Sequence, residues 1–275
     1  QWSSFPVRRR FAAILLASAC FAGSRGASAS TRAPWLQWPD SGTATVAAVP
    51  SGDTLELRDG RVVALAGLRA PRAAFGEHFA EAGFEAARSQ LAAAANGRSV
   101  RLFGKPGERD RLGRIIAHAV VEGPPATWLQ MTQITAGVAH AYAANTEHPE
   151  IVRLLLDLEV AARRAKIGLW RQAAFAIRDA SMPKAIPLGF QLVEGHVLAI
   201  GESQQSLFVN FGADWRLDFT AIVDRNDRDG FVGGLKGVRA LMGKHIRVRG
   251  AVILRGGPAI RVRTAYAIET LEDRR

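Results

Sequence analysis

Three short strand signals, a helix, then two more strands: this order opens the globular part of the chain and returns after residue 187. In the first pass, strand signals lie at 44–49, 54–57 and 61–66, and Asp59-Gly60 between the last two is a tight-hairpin signal. A helix is predicted over 81–95, where Phe84, Ala87 and Leu91 recur at helical spacing and Asn96-Gly97 supplies the stop. Strands return at 99–103 and 114–121. A short helix at 128–136 and a longer one at 150–166 follow, the latter with Val152, Leu155, Leu156, Glu159 and Val160 on one mostly apolar face and Gly168 at its end. In the second pass, strand signals at 191–200, 207–211 and 219–223 precede a glycine-loosened helix at 231–242. A hairpin of 245–254 and 259–268 then turns at Gly256-Gly257.

Strand-strand-strand-helix-strand-strand is the order of an OB-like Greek-key barrel. The expected fold class is mainly β with added helices, one OB-fold barrel followed by a second OB-like barrel. A length of 275 residues suits two such domains. The boundaries read as a surface lead-in at 30–43, a first domain at 44–170, a linker at 171–187 holding Pro183 and Pro187, a second domain at 188–270 and a tail at 271–275. Hydrophobic residues at 48% and charged residues at 22% exclude a disordered chain, a collagen and a coiled coil. The single cysteine, Cys20, excludes an intramolecular disulfide framework and a zinc ribbon, and the histidines have no ligand spacing.

The net charge of +11 favours anionic partners, but part of it belongs to a leader. Arg8-Arg9-Arg10 precedes an apolar run at 11–23, and Ala27-Ser28-Ala29 has the small residues a signal peptidase reads. That run of 13 residues is short of the about 20 needed to span a bilayer. Residues 1–29 therefore read as an export signal cut after Ala29, giving a periplasmic or secreted product. Arg8-Arg9-Arg10-Phe11 also fits a twin-arginine pattern loosely. Cys20 after Ala17-Ser18-Ala19 is a lipidation candidate that lacks the usual leucine. Without the leader's four arginines, 32 bases remain against 25 acids, a net of +7.

Six short motifs stand in register along the first block. They are Ser51-Gly52-Asp53-Thr54, Leu65-Ala66-Gly67-Leu68-Arg69-Ala70-Pro71, Gly83-Phe84-Glu85-Ala86, Asp110-Arg111-Leu112-Gly113-Arg114, Gly137-Val138-Ala139-His140-Ala141-Tyr142 and Gly168-Leu169-Trp170. In this order and at these separations they resemble the staphylococcal nuclease (thermonuclease) family over roughly residues 44–170. The resemblance implies an OB barrel that cuts DNA and RNA with Ca²⁺, using aspartates on the metal, a glutamate that activates water and arginines on the phosphate. Asp53 and Arg114 match family positions. Ser51 stands where the first aspartate would be, and Ala64 where the first catalytic arginine would be. Arg69 replaces the second metal aspartate and Arg72 the glutamate after proline. A lone Asp53 facing guanidinium groups favours an ion pair over calcium. Arginine cannot serve as a general base near neutral pH. A catalytically degenerate site is expected, with no metal and no cofactor. Ca²⁺ enters only on the alternative of an active nuclease with a rearranged site that uses Asp53, Arg114 and a borrowed glutamate, Asp53 being a metal ligand if any residue is.

Other residues carry two readings each. Arg69, Arg72 and Arg114 together either cradle a phosphate without metal, or Arg69 and Arg72 are merely solvated or paired with Asp53 and Glu77. Glu56, Asp59, Glu77 and Glu81 read as surface acids, with a glutamate folded back into the cleft as the alternative. Tyr142 aligns with a family aromatic beside the bound nucleotide, and a rim packing role competes. Arg247, Arg249, Arg261 and Arg263 alternate with apolar residues, so all four can share one sheet face. That face is either a solvated surface, the favoured reading, or a stripe that binds single-stranded nucleic acid. Phe208, Phe211, Trp215 and Phe219 read as core packing. Asp224, Asp227 and Asp229 lack the spacing of a calcium loop.

The leading expectation is an exported, degenerate nuclease-like protein that binds nucleic acid, a phosphate-bearing ligand or an envelope partner protein. The alternatives are an active metal-dependent nuclease and a structural envelope component. Membrane contact is expected only through an uncleaved or lipidated leader.

Overall fold

The strand β1 (Asp40–Ser51) is long enough to pair along both edges, and this decides the shape of the first half. One edge takes β2 (Thr54–Leu57) and the other β5 (Ser99–Phe103), both antiparallel. Register shifts at Asp40/Thr43, Val46/Ala48 and Ala48/Ser51 bend the strand as bulges do. The strand β3 (Val62–Leu65) pairs with β2 and, in parallel, with β6 (Ile115–Val121), which also pairs with β5. The circuit β3-β2-β1-β5-β6 and back to β3 is a closed five-stranded barrel. In the computed structural model, residues 33–74, 79–143 and 148–271 are described. The expected leader at 1–29 and Cys20 lie outside the described residues, as does Glu77.

Helix α1 (Phe84–Ala95) buries Ala87, Leu91 and Ala95 against the barrel. It starts three residues later than its periodicity suggests, because Gly83 sits at φ 87° just before it. The turn after β1 comes so close to this helix that a Cβ on Gly52 would lie 2.5 Å from the Ala87 Cβ. Only glycine fits there. Two short strands, β4 (Leu68–Arg69) and β8 (His140–Ala141), pair beside the barrel, and β7 (Thr127–Trp128) extends it past β6. Helices α2 (Leu129–Thr135) and α3 (Pro149–Arg164) complete the first half.

The second half repeats the same pairing scheme in a sheet that does not close. Its strands are β9 (Arg178–Asp179), β10 (Gly189–His196), β11 (Ala199–Glu202), β12 (Ser206–Asn210), β13 (Thr220–Asp224), β14 (His245–Arg255), β15 (Gly257–Arg261) and β16 (Ile268–Thr270). The order is β11-β12-β13-β15-β14-β10-β9, with β16 on β14 and a parallel β13–β15 pair like the β3–β6 pair of the first half. The backbone of the leading strand switches partner at Val197-Leu198. Val197 N–H reaches Lys244 O at 2.9 Å on the β14 side, and Leu198 N–H reaches Asn210 O at 2.8 Å on the β12 side. The sheet is barrel-like, with its circuit open at this point. Helix α4 (Gly234–Arg239) lies within the expected 231–242 and starts late because Gly233 and Gly234 adopt φ 74° and 58° there.

Each half has its own apolar cluster, yet the segment between the halves and the start of β10 contribute to both. Phe175 is buried in the first cluster, and Leu192 of β10 joins it, with Phe190 packed against it. Ala180 and Ile186, from the segment read as a linker, are buried in the second. The described residues all belong to one compact unit, Ala33–Arg275.

Candidate nucleic-acid interface

The turn from β1 to β2 places Asp53 half-buried, with its carboxylate already engaged. Oδ1 accepts from Ser51 Oγ at 2.8 Å and from Thr54 Oγ1 at 3.2 Å, and Oδ2 accepts from Ala70 N–H at 3.1 Å. Arg114 then donates from Nη1 to Thr54 Oγ1 at 2.8 Å, so Thr54 links Arg114 to Asp53. The Arg114 Nε and Nη2 both meet Asp110 Oδ2 at 2.7 Å. Burial pushes the Asp110 carboxyl up, but the Arg114 side-chain and backbone donors outweigh it and hold it below the usual carboxylate range. The expected ion pair between Asp53 and the arginines that replace acids is not formed.

Arg69 sits instead at the seam of the two halves. It is only 9% exposed and forms an ion pair with Glu81. Its guanidinium lies over the Phe190 ring, 4.9 Å from the centroid. Glu81 also accepts from Arg72 N–H at 3.0 Å, and its own N–H reaches Arg72 O at 2.9 Å. Glu81 is therefore folded back onto the motif, and the surface-acid reading does not hold for it. Burial raises its carboxyl, yet Arg69 holds it below the usual range. The Arg72 side chain is exposed. Tyr142 is half-buried, with its ring edge on Phe190 at 5.2 Å, which is the packing position of its two readings.

His140, beside Arg69 in the β4–β8 pair, is buried in an aromatic cage of Phe175, Trp170 and Phe190. Burial, followed by the charges of Arg249 and Arg69, pushes its imidazole well below the usual value, so it stays neutral near pH 7.

The four arginines expected on one face of the second domain separate into two environments. Arg249 is 2% exposed and reaches back to α3 and β8, donating to Glu159 Oε2 at 2.9 Å and Ala141 O at 2.7 Å, and it also pairs with Glu269. Arg247 pairs with Glu194 at 2.7 Å and with Glu269 at 3.0 Å. Arg261 and Arg263 stay exposed, Arg261 in a 2.8 Å pair with Asp224. The solvated face is thus corrected at β14, where the first half covers it. Among the aromatics read as core, Phe219 is buried, Phe208 and Phe211 are half-buried, and Trp215 is 54% exposed. Among the described residues, no group of three or more His, Cys, Asp or Glu is placed to hold a metal ion.

The family model of staphylococcal nuclease homologues matches residues 62–172. The chain carries a staphylococcal nuclease-like domain. The matched span holds Arg69, Arg72, Arg114 and Tyr142 of this nuclease-like domain, and Asp53 lies upstream of it. Searched whole, the chain matches no curated protein. The closed barrel, with the parallel β3–β6 pair and α1 against it, agrees with the OB architecture of such a domain. A nuclease-like domain is of a nucleic-acid-binding kind, and the second sheet falls beyond the match.

Proposed function

We propose that this is an exported nucleic-acid-binding protein whose nuclease-like domain holds phosphodiesters without cutting them. The observation that carries the reading is Arg69. The position where the family resemblance calls for a metal aspartate holds a cation, committed to Glu81 on one side and to Phe190 of the second half on the other. A calcium ion takes six to eight oxygen ligands, mostly carboxylate and carbonyl. Asp53 spends its oxygens on Ser51, Thr54 and Ala70, and Glu81 spends its own on Arg69 and Arg72. These residues do not fit Ca²⁺. Arg114 and the exposed Arg72 supply guanidinium forks suited to phosphate oxygens. The arginine-rich signal-like leader supports export.

The test is fluorescence anisotropy of an end-labelled single-stranded oligonucleotide with the protein, in Ca²⁺ and in EDTA. The expected result is a stable rise that EDTA does not alter and that falls steeply between about 50 and 200 mM salt. A rise followed by a calcium-dependent fall would show cutting and overturn the reading. No change at low salt would replace nucleic acid with a protein partner of the envelope.

A further inference from the structure

We propose that the outer face of the second sheet is a base-stacking site for single-stranded nucleic acid, built on Phe208 and Trp215 with the guanidiniums of Arg255 and Arg216 beside their rings. The proposal rests on the nucleic-acid reading above and adds a second contact outside the nuclease-like domain.

On β12, Leu207 and Val209 are fully buried in the second cluster, so Phe208 between them points to the opposite face. The register places Gly201, Phe208, Ile222 and Arg261 in one row across β11, β12, β13 and β15. At one end of that row Gly201 brings no side chain against Phe208, at the other Arg261 is exposed, and Ile222 between them is covered at 2% exposure. Ile260 and Val262, on either side of Arg261, are in the core, which confirms the outward face. The Arg255 guanidinium lies 5.8 Å from the Phe208 centroid. The next row carries Asn210 and Thr220, joined side chain to side chain at 3.2 Å.

The hairpin turn after Arg255 brings in the second ring. A Cβ on Gly256 would lie 3.2 Å from Arg216 Cα and 3.4 Å from Trp215 O, so the 214–218 loop rests on the hairpin tip. That loop is ordered by its own acids. Asp218 Oδ2 accepts from Asp214 N–H at 2.8 Å, and Asp214 Oδ1 from Arg216 N–H at 3.0 Å. It holds Trp215 out in solvent with the Arg216 guanidinium 4.8 Å from its ring centroid. The nearby acids are committed as well: Asp224 to Arg261 and Ser206, and Glu202 to Arg225 and Arg239.

An aromatic ring with a guanidinium alongside offers a base one π surface and its phosphate one cation, with the ring exposed at Trp215 and half-buried at Phe208. Two such pairs lie on one connected surface. Leu217 and Leu254 are also exposed at the tip, and with Trp215 they are the chemistry a lipid surface would take. The flanking Asn210–Thr220 row and the Arg261–Asp224 pair extend the face with polar groups along the strands, which favours a nucleic-acid strand over a bilayer.

The experiment uses the whole protein, labelled oligothymidylates of graded length, and the variants Trp215→Leu and Phe208→Leu. Each keeps the charge and removes one aromatic ring. The expected result is an affinity loss of about tenfold per ring, a shorter occupied length and an unchanged salt slope. Trp215 is outside the core, so Trp215→Leu should melt like the parent and remain informative if Phe208→Leu misfolds. If the parent binds and Trp215→Leu binds equally tightly over the same length, this inference falls and the nucleic-acid reading stands. If the parent binds no oligonucleotide, both fall. Binding to phosphatidylglycerol vesicles that Trp215→Leu abolishes, without oligonucleotide binding, would overturn the site in favour of a membrane contact.

Discussion

Arg249 of β14 and Glu159 of α3 meet at 2.9 Å with both side chains closed off from solvent. The pair spans the two halves, and each partner has further work. Glu159 accepts from Ala141 N–H at 2.7 Å and from Arg163 at 3.1 Å, while Arg249 donates to Ala141 O and pairs with Glu269. Burial works against the charge on Arg249, and the carboxylates of Glu159 and Glu269 outweigh it and keep the guanidinium protonated. The two halves are thus joined by buried charge as well as by apolar contact.

Removing one member leaves the other uncompensated. Arg249→Met should cost about 3–5 kcal/mol, and adding Glu159→Gln should recover part of that loss. Urea unfolding of the two single variants and the double variant reads both effects. A loss under about 1 kcal/mol for Arg249→Met would mean the pair contributes little to joining the halves.

His140 supplies a pH signature. Its imidazole stacks on Phe175 at 4.5 Å and meets the Trp170 edge at 5.1 Å, and burial holds its pKa well below 6.5. The unfolded chain therefore binds a proton that the folded chain refuses. Stability from this group is full above the unfolded value of about 6.5 and falls as pH drops below it. Over most of the range between about pH 5 and 6.5 the carboxylates Glu81 and Asp110, held low, add little slope, since their own contribution is lost mainly below about pH 5. His140→Phe, which fills the same aromatic cage, should flatten the urea midpoint across that window. An unchanged slope would assign the pH dependence to another group.

The barrel was legible because its strands and turns write themselves locally: alternation over Thr54–Leu57, the Asp59-Gly60 turn, and the Phe84–Ala87–Leu91 spacing. Arg249 was not. The pattern Ile246-Arg247-Val248-Arg249 is the same whether the arginine face meets water or a second domain, and only Glu159, ninety residues earlier, distinguishes the two. Arg69 failed for a similar reason, since its partner Phe190 is far along the chain. Trp215 sits in a loop without periodicity, where no local rule reports exposure. Glu81 was within reach of the motif by sequence, but its direction depends on Arg69 and the Arg72 backbone, which no local pattern brings to it.

Arg114 should report on phosphate contact. Its guanidinium is half-buried, held by Asp110 and Thr54. Arg114→Gln should weaken oligonucleotide binding by a similar factor across sequences and reduce the salt slope by about one. Titrations at several salt concentrations measure it. An unchanged slope with intact folding would confine Arg114 to bracing the Asp53 turn.

Arg69→Asp restores the acid that the family resemblance calls for, and it tests whether identity alone makes a metal site. The new carboxylate would face Glu81 without its cation and would lose the Phe190 face, where the guanidinium now lies at 4.9 Å. Two acids in that half-buried seam repel, and Glu81, now held below the usual range by Arg69, would be pushed up instead. The expected result is a stability loss of about 1–3 kcal/mol, moderated by the partial exposure of Glu81, with no calcium-dependent cleavage. Thermal melts with and without Ca²⁺, beside a cleavage assay on labelled single strands, separate the outcomes. Calcium-dependent stabilisation together with cleavage would show that Asp53, Glu81 and the new acid can assemble a metal site, and the degenerate reading would then rest on Arg69 alone.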